Sequence, residues 1–221
     1  MNILYIIPPV AAYLLGSVSS AVWVARRHGI NIREYGSGNA GATNILRVLG
    51  PKAALPVFVF DFLKGLLAVL LAGFTALDPV ENPELRTAYE IVLGACAVTG
   101  HIFPVFASFR GGKGVATIAG VIAAIAPAPM LLSLSVFVAV LAATHYVSLA
   151  SVSAAVSFPL FVILLFGIAL KPDTTGSTLK IFSLAASLMI VLTHRKNIRR
   201  LRNGSENKIS FKRKRDAENR A

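Results

Sequence analysis

The sequence predicts an all-α integral membrane protein, a polytopic helix bundle of seven spans, some of them short. Three observations carry this. Of 221 residues, 55% are hydrophobic and only 14% charged, with a mean hydropathy of +0.69, far more apolar than an ordinary soluble domain. Apolar runs recur at the length of about 20 residues that a helix needs to cross a bilayer. Lys and Arg gather in alternate segments between those runs, as the positive bias of cytoplasmic loops requires.

The first run, residues 3–25, has no Lys or Arg ahead of it. It lacks the basic start of a cleavable signal peptide and is expected to stay as a first span. Runs at 53–76 and 87–105 follow. Between Val115 and Ala143 an apolar stretch is broken by Pro127 and Pro129. Each proline removes a helical donor and clashes with the preceding turn, so one kinked span and two short ones both fit. Runs at 148–169 and 178–193 complete the set.

Charge chooses among the counts. With the first span running outside to inside, residues 26–52 carry five Lys and Arg, residues 109–114 two, and residues 194–221 eleven, while "LDPVENPELR" at 77–86 is acidic. A single span over 115–143 gives six in all and leaves the eleven-charge tail outside. Two short spans give seven and restore the rule; five spans with a re-entrant segment have the same parity. The N-terminus is thus expected outside and the C-terminus in the cytoplasm. Residues 1–208 form one membrane-embedded domain, and 209–221 a basic cytoplasmic tail. The "KRKR" at 212–215 fits topology and anionic membrane lipid, and no nucleic-acid partner is expected. Cys96 is the single cysteine, zinc signatures are absent, and neither a metal nor a cofactor is called for.

"GSGNAG" at 36–41 matches the dinucleotide pattern G-x-G-x-x-G, with Asp61 twenty residues further on. That motif works only between a strand and a helix. Here it follows a membrane span, and Asp61 sits inside the next one with Lys64 one turn away, a spacing that suits an ion pair facing a bundle interior. The stretch reads better as a polyanion site. Gly36, Gly38 and Gly41 let backbone amides approach closely, while Ser37, Asn39, Thr43, Asn44 and Arg47 supply donors.

The second polar segment, "HIFPVFASFRGGKGVAT", has the same character. His101 stands at its mouth and Arg110 before its glycines. Gly111 and Gly112 before Lys113, and Gly114 after it, allow a nest of backbone N–H groups beside an ammonium. A helix opening near Val115 adds its N-terminal dipole. Gly114 stands where a Walker A loop has Ser or Thr, so nucleotide specificity is not implied. The third segment, "THRKNIRRLRNGSENK", brings His194 and Asn197, at i and i+3 on one helical face, and Glu206. All three segments are expected on the same, cytoplasmic side. Gly16, Ser17 and the serines from 148 to 157 read as small residues for helix packing.

Taken together, "GSGNAGATNILRVLG", "GHIFPVFASFRGGKGVAT" and "THRKNIRRLRNGSE" resemble the three motifs of the bacterial acyl-phosphate:glycerol-3-phosphate acyltransferase family, PlsY. The resemblance covers nearly the whole chain. It implies transfer of a fatty acyl group from acyl phosphate to the sn-1 hydroxyl of glycerol 3-phosphate, giving lysophosphatidic acid and phosphate at the bacterial inner membrane. It marks Ser37 and Arg47 as essential, associates Gly111, Gly112 and Lys113 with glycerol 3-phosphate binding, places His194 and Asn197 in the catalytic set, and gives Glu206 a structural role. An acyl phosphate is already activated, so positioning and charge stabilisation suffice without an acyl-enzyme. The H-x-x-x-x-D dyad of acyltransferases with soluble donors is missing: Arg33, Phe106, Ala150 and Arg199 stand five residues after the four histidines, which disfavours an acyl-CoA donor. An organic-phosphate transporter is the alternative, although such sites tend to lie at the bilayer midplane between repeated halves.

Overall fold

The structure is a computed structural model and describes residues 5–77, 81–169 and 176–209. Residues 78–80 of the acidic segment, residues 170–175 around Lys171, and the basic tail from 210 onward with its "KRKR" lie outside the described residues. Within them the chain is helical: α1 (Ile7–Ser17), α2 (Ser20–Arg27), α3 (Ala42–Leu49), α4 (Pro51–Leu70), α5 (Pro83–Ile102), α6 (Val115–Ile125), α7 (Pro127–Thr144), α8 (Val147–Ile163), α9 (Gly176–Thr193) and α10 (Arg195–Arg202). Proline opens α4, α5 and α7, where its missing N–H and fixed φ cost nothing.

Against the seven apolar segments expected to span, five helices among the described residues are long and apolar enough to cross a membrane: 7–27, 51–74, 83–107, 127–144 and 147–166. The pair α9 and α10, bent by 59°, makes a sixth if it counts as one broken span. The stretch from 115 to 143 is two helices that part at Ala126. With 11 residues, α6 is apolar but too short to cross alone.

Glycine lets the central helices meet closely. A Cβ on Gly65 of α4 would strike the Thr117 carbonyl of α6, and one on Gly120 of α6 would strike the Phe62 carbonyl of α4. Gly16 of α1 and Gly100 of α5 face the Ala97 and Tyr13 carbonyls in the same reciprocal way. In lipid, where helices gain no hydrophobic drive toward each other, such small-residue contacts carry the packing. The α7 and α8 helices pair, α9 packs on α8, and a core of Val121, Ile122, Phe158, Val162, Leu179 and Ile190 fills the space between α6, α8 and α9.

The first span is interrupted at Val18 and Ser19, between α1 and α2. The expected ion pair of α4 repairs the break. Lys64 Nζ lies 2.8 Å from Asp61 Oδ1 and donates to the Val18 carbonyl at 3.0 Å, while Ser20 Oγ donates to Asp61 at 3.0 Å. Asp61 is 2% and Lys64 1% exposed, so either charge alone would be strongly destabilising. Lys64→Met should therefore cost about 3–5 kcal/mol of stability, read as a lowered unfolding temperature in detergent. Wild-type stability in that variant would refute the pair's role.

Candidate active site

The first wall is a loop held from below. Ile32, Ala40 and Ile45 are buried in a small apolar cluster with α2 and α4, which anchors both ends of residues 33–41. Asn44 pins the turn. Its amide nitrogen donates to the carbonyls of Ile32 and Tyr35 at 3.2 and 3.0 Å, and its oxygen accepts from the Ser37 N–H at 2.8 Å. Gly36 has φ +61°, and a Cβ there would run into the Asn44 oxygen, so the turn that presents Ser37 needs glycine. From α3, Arg47 reaches inward and donates to the Asn207 carbonyl at 3.2 Å.

The second wall departs from expectation at one point. The Gly111 and Gly112 N–H groups do not form an open anion nest, because they donate to the carbonyls of Ile102 and His101 at 3.1 and 3.2 Å. These bonds fold the loop back on the end of α5 and lift Lys113. Gly114, at φ +79°, caps α6, and the expected helix N-terminus begins at Val115. Gly114, Val115 and Ala116 line the cavity, so the first free N–H groups of α6 border it. Arg33 ties the two walls together: its Nη2 donates to the carbonyls of Ala107 and Arg110 at 2.8 and 2.5 Å.

The third wall turns on Glu206. After α10 the chain folds back beneath the bundle, and Ile209 is buried, with its N–H on the His145 carbonyl at 2.9 Å. The packed chain thus runs one residue past the expected tail boundary. Glu206 Oε1 accepts from Asn197 at 2.8 Å and Ser148 at 3.1 Å, and Oε2 from Arg200 at 2.7 Å. Arg47 stands 3.8 Å away. Asn197 in turn accepts a hydrogen bond from the Lys113 ammonium. His194 Nδ1 lies 2.8 Å from the Ile190 carbonyl. A carbonyl only accepts, so Nδ1 carries the proton and Nε2 of the neutral ring keeps a lone pair.

All three segments meet around one cavity of about 170 Å³, lined by Ser37, Asn39, Gly41, Thr43, Asn44, Arg47, His101, Lys113, Gly114, His194 and Asn197 among others. A more open recess of about 460 Å³ shares Ser37, Asn39, Lys113 and Asn197 and adds Gly38, Gly112 and Arg200. Three expected binding residues are not on either surface: Gly36 serves the turn that presents Ser37, Gly111 is turned into the loop, and Arg110 is exposed and contributes only its carbonyl. Glu206 sits behind the wall, as its structural reading requires.

The site is short of negative charge. Burial pulls the Lys113 ammonium down to about 8, with Arg200 and Arg47 adding to the effect and Glu206 opposing it. Burial, aided by Lys113, pulls His194 down to about 4. Burial also lowers Arg47, which Glu206 partly offsets. A bound anion would relieve each of these penalties.

Four contributors escaped the sequence reading. Ser148, read as a packing serine, holds Glu206, and nothing local signals it. In the sequence Arg33 and Arg200 read only as topological charges, although Arg200 falls one turn after Asn197 on the same face. Asp61 borders the cavity, and its carboxylate lies 3.6 Å from His101 Nδ1.

A family model described as glycerol-3-phosphate acyltransferase matches residues 6–204. The chain is 41% identical over 221 residues to a glycerol-3-phosphate acyltransferase of Chlorobaculum parvum, covering 92% of this chain and 95% of the relative. It is 44% identical over 209 residues to one of Clostridioides difficile, covering 94% and 97%. Its fold is similar to the crystal structure of PlsY, an integral membrane glycerol 3-phosphate acyltransferase, in the glycerol 3-phosphate form, with a TM-score of 0.80 at 34% identity over 93% of this chain and 96% of that one. The lysophosphatidic acid form gives 0.78 at 33% identity over 94% and 96%.

Proposed function

The chain belongs to the glycerol-3-phosphate acyltransferase family, and from that premise we propose that it moves a fatty acyl group from acyl phosphate to the sn-1 hydroxyl of glycerol 3-phosphate. The products are lysophosphatidic acid and inorganic phosphate, in the first acylation of phospholipid synthesis. The protein is an integral membrane protein; the proposal places its N-terminus outside, its C-terminus in the cytoplasm and its site at the cytoplasmic face of a bacterial inner membrane.

The observation that carries the reading is the pairing of two cavities. The cationic one shares Phe58, Val115, Ala116, Phe137 and Ser151 with an apolar one of about 360 Å³. A donor with a phosphate at one end and an alkyl chain at the other fits that junction. Lys113, Arg47 and the N-terminus of α6 hold the phosphates, and Ser37 and Asn39 border the recess through which glycerol 3-phosphate enters from water.

The step is direct. The glycerol hydroxyl oxygen attacks the acyl carbonyl carbon, the bond from that carbon to the phosphate oxygen breaks, and phosphate leaves with the electron pair. The hydroxyl proton passes to His194 Nε2 or to an oxygen of the donor phosphate. Cations around the leaving phosphate stabilise the charge that develops on it. A trapped acyl-Ser37 intermediate would refute this course.

Release of phosphate from acyl phosphate in the presence of glycerol 3-phosphate, by purified protein in detergent with no sealed membrane, tests the proposal. A transporter is silent in that assay. Arg33→Ala, which unties the two loops without touching substrate, should raise KM for glycerol 3-phosphate roughly tenfold, a loss of about 1.4 kcal/mol, with kcat less affected. Arg33→Lys should keep part of the wild-type affinity; an unchanged KM in Arg33→Ala would count against the strut.

A further inference from the structure

We infer that the apolar cavity limits acyl-chain length, and that its closed floor, built by Ile122, Met130 and Phe158, is the gauge. The inference rests on the acyl-donor reading above and adds to it a specificity that the reading does not contain.

Three features of the cavity point there. First, the space exists because small side chains make it: eight of its eighteen lining residues are Ala or Ser, contributed by α6, α7, α8 and α9. A single larger side chain in that row occupies volume that the chain would need.

Second, the cavity has a mouth and an end. Val115 and Ser151 belong to both cavities and mark the junction with the polar site. Ile122 and Phe158, each seven residues further along its helix, are the last lining residues on α6 and α8. At 1.5 Å per residue the apolar channel is about 10 Å deep. One turn beyond, Val162 of α8 and Phe182 of α9 belong to the packed core and line no part of the cavity. Phe158 is 2% and Val162 0% exposed, so the floor is backed by close-packed side chains and cannot yield at little cost.

Third, the flank is open from the mouth, at Phe58, to mid-depth, at Leu134. Phe58 and Leu134 line the cavity and are 49% and 42% exposed. A chain can therefore enter sideways between α4 and α7 while its far end meets the floor.

The test uses full-length protein in detergent and two acyl phosphates, octanoyl, whose extended chain matches the depth of the channel, and hexadecanoyl, whose chain exceeds it. Ala155→Leu fills the channel at mid-depth from α8, and Ala186→Leu does so from α9 in case the first variant folds poorly. Either should raise the octanoyl to hexadecanoyl ratio of kcat/KM about tenfold or more, the scale of methylene discrimination in an apolar pocket, with KM for glycerol 3-phosphate unchanged. Phe158→Ala, which lowers the floor, should move the ratio the other way. A ratio that stays constant while both rates fall overturns the gauge. Binding of 1-octanoyl and 1-hexadecanoyl lysophosphatidic acid to the same variants separates this from the donor reading. If wild-type protein turns over no acyl phosphate, a shifted affinity ratio still upholds the depth limit, and an unshifted one overturns it.

Discussion

Lys113→Ala should lower kcat/KM for glycerol 3-phosphate by about 100-fold or more, the scale of removing one preorganised charge from a transition state. Lys113 is the ammonium at the α6 N-terminus, fixed by Asn197 and bordering both the inner cavity and the open recess. Loss of Arg47 should be comparably severe. His101→Ala should cost less, because His101 faces Asp61 rather than the cation cluster. Equal activity in the three variants would sink that ranking. The pH profile gives an independent check. Lys113 must be protonated to hold a phosphate, and its pKa is drawn down to about 8, so kcat/KM should fall as pH rises through about 8. Lys113→Arg keeps a cation that does not titrate there, and its profile should lose that alkaline limb even though the absolute rate drops.

Glu206→Ala should unfold the third wall and abolish activity together. Its carboxylate takes hydrogen bonds from Ser148, Asn197 and Arg200 and faces Arg47. Removing it leaves buried donors and cations unpaired, at about 3–5 kcal/mol. Thermal unfolding in detergent reads the loss, and a variant as stable as the wild type would refute the hub. The sign with pH follows from the same contacts. Burial alone would raise the Glu206 pKa, but hydrogen bonds from Arg200 and Asn197 and the charge of Arg200 hold it below the ordinary carboxylate range. A depressed folded pKa means that this contribution is present above the ordinary range and is lost as pH falls through the folded value.

What was legible in the sequence was whatever local chemistry writes down. Apolar runs located the five long helices to within a few residues, although the seven spans expected compare with five, or six with the bent α9 and α10 pair, among the described residues; the Asp61 and Lys64 spacing gave a buried pair. The proline break at 127 allowed two helices, which the structure has. The three donor-rich segments named most of the cavity: Ser37, Asn39, Thr43, Arg47, Lys113, His194 and Asn197 all line it. What was hidden depends on contacts far apart in the chain. Asn44 looked like a substrate donor, but its amide is spent on the loop's own backbone. The Gly111 and Gly112 amides looked free, and the end of α5 takes them. Ser148 partners a residue 58 positions away, a distance over which no periodicity carries information. The π-helical end of α8 at Leu164–Ala169 likewise has no counterpart in the hydropathy pattern.

The wall common to the cationic and apolar cavities has a consequence for traffic. On the proposed reaction, inorganic phosphate forms beside the open recess that faces water. Lysophosphatidic acid forms with its chain already in a channel whose flank is exposed at Phe58 and Leu134, on two of the helices apolar enough to cross a membrane, the side that the proposed placement gives to lipid. The two products therefore part into different phases by the doors nearest to where they are made. Neither has to pass the other, and the membrane itself, by absorbing the lipid, draws the reaction forward.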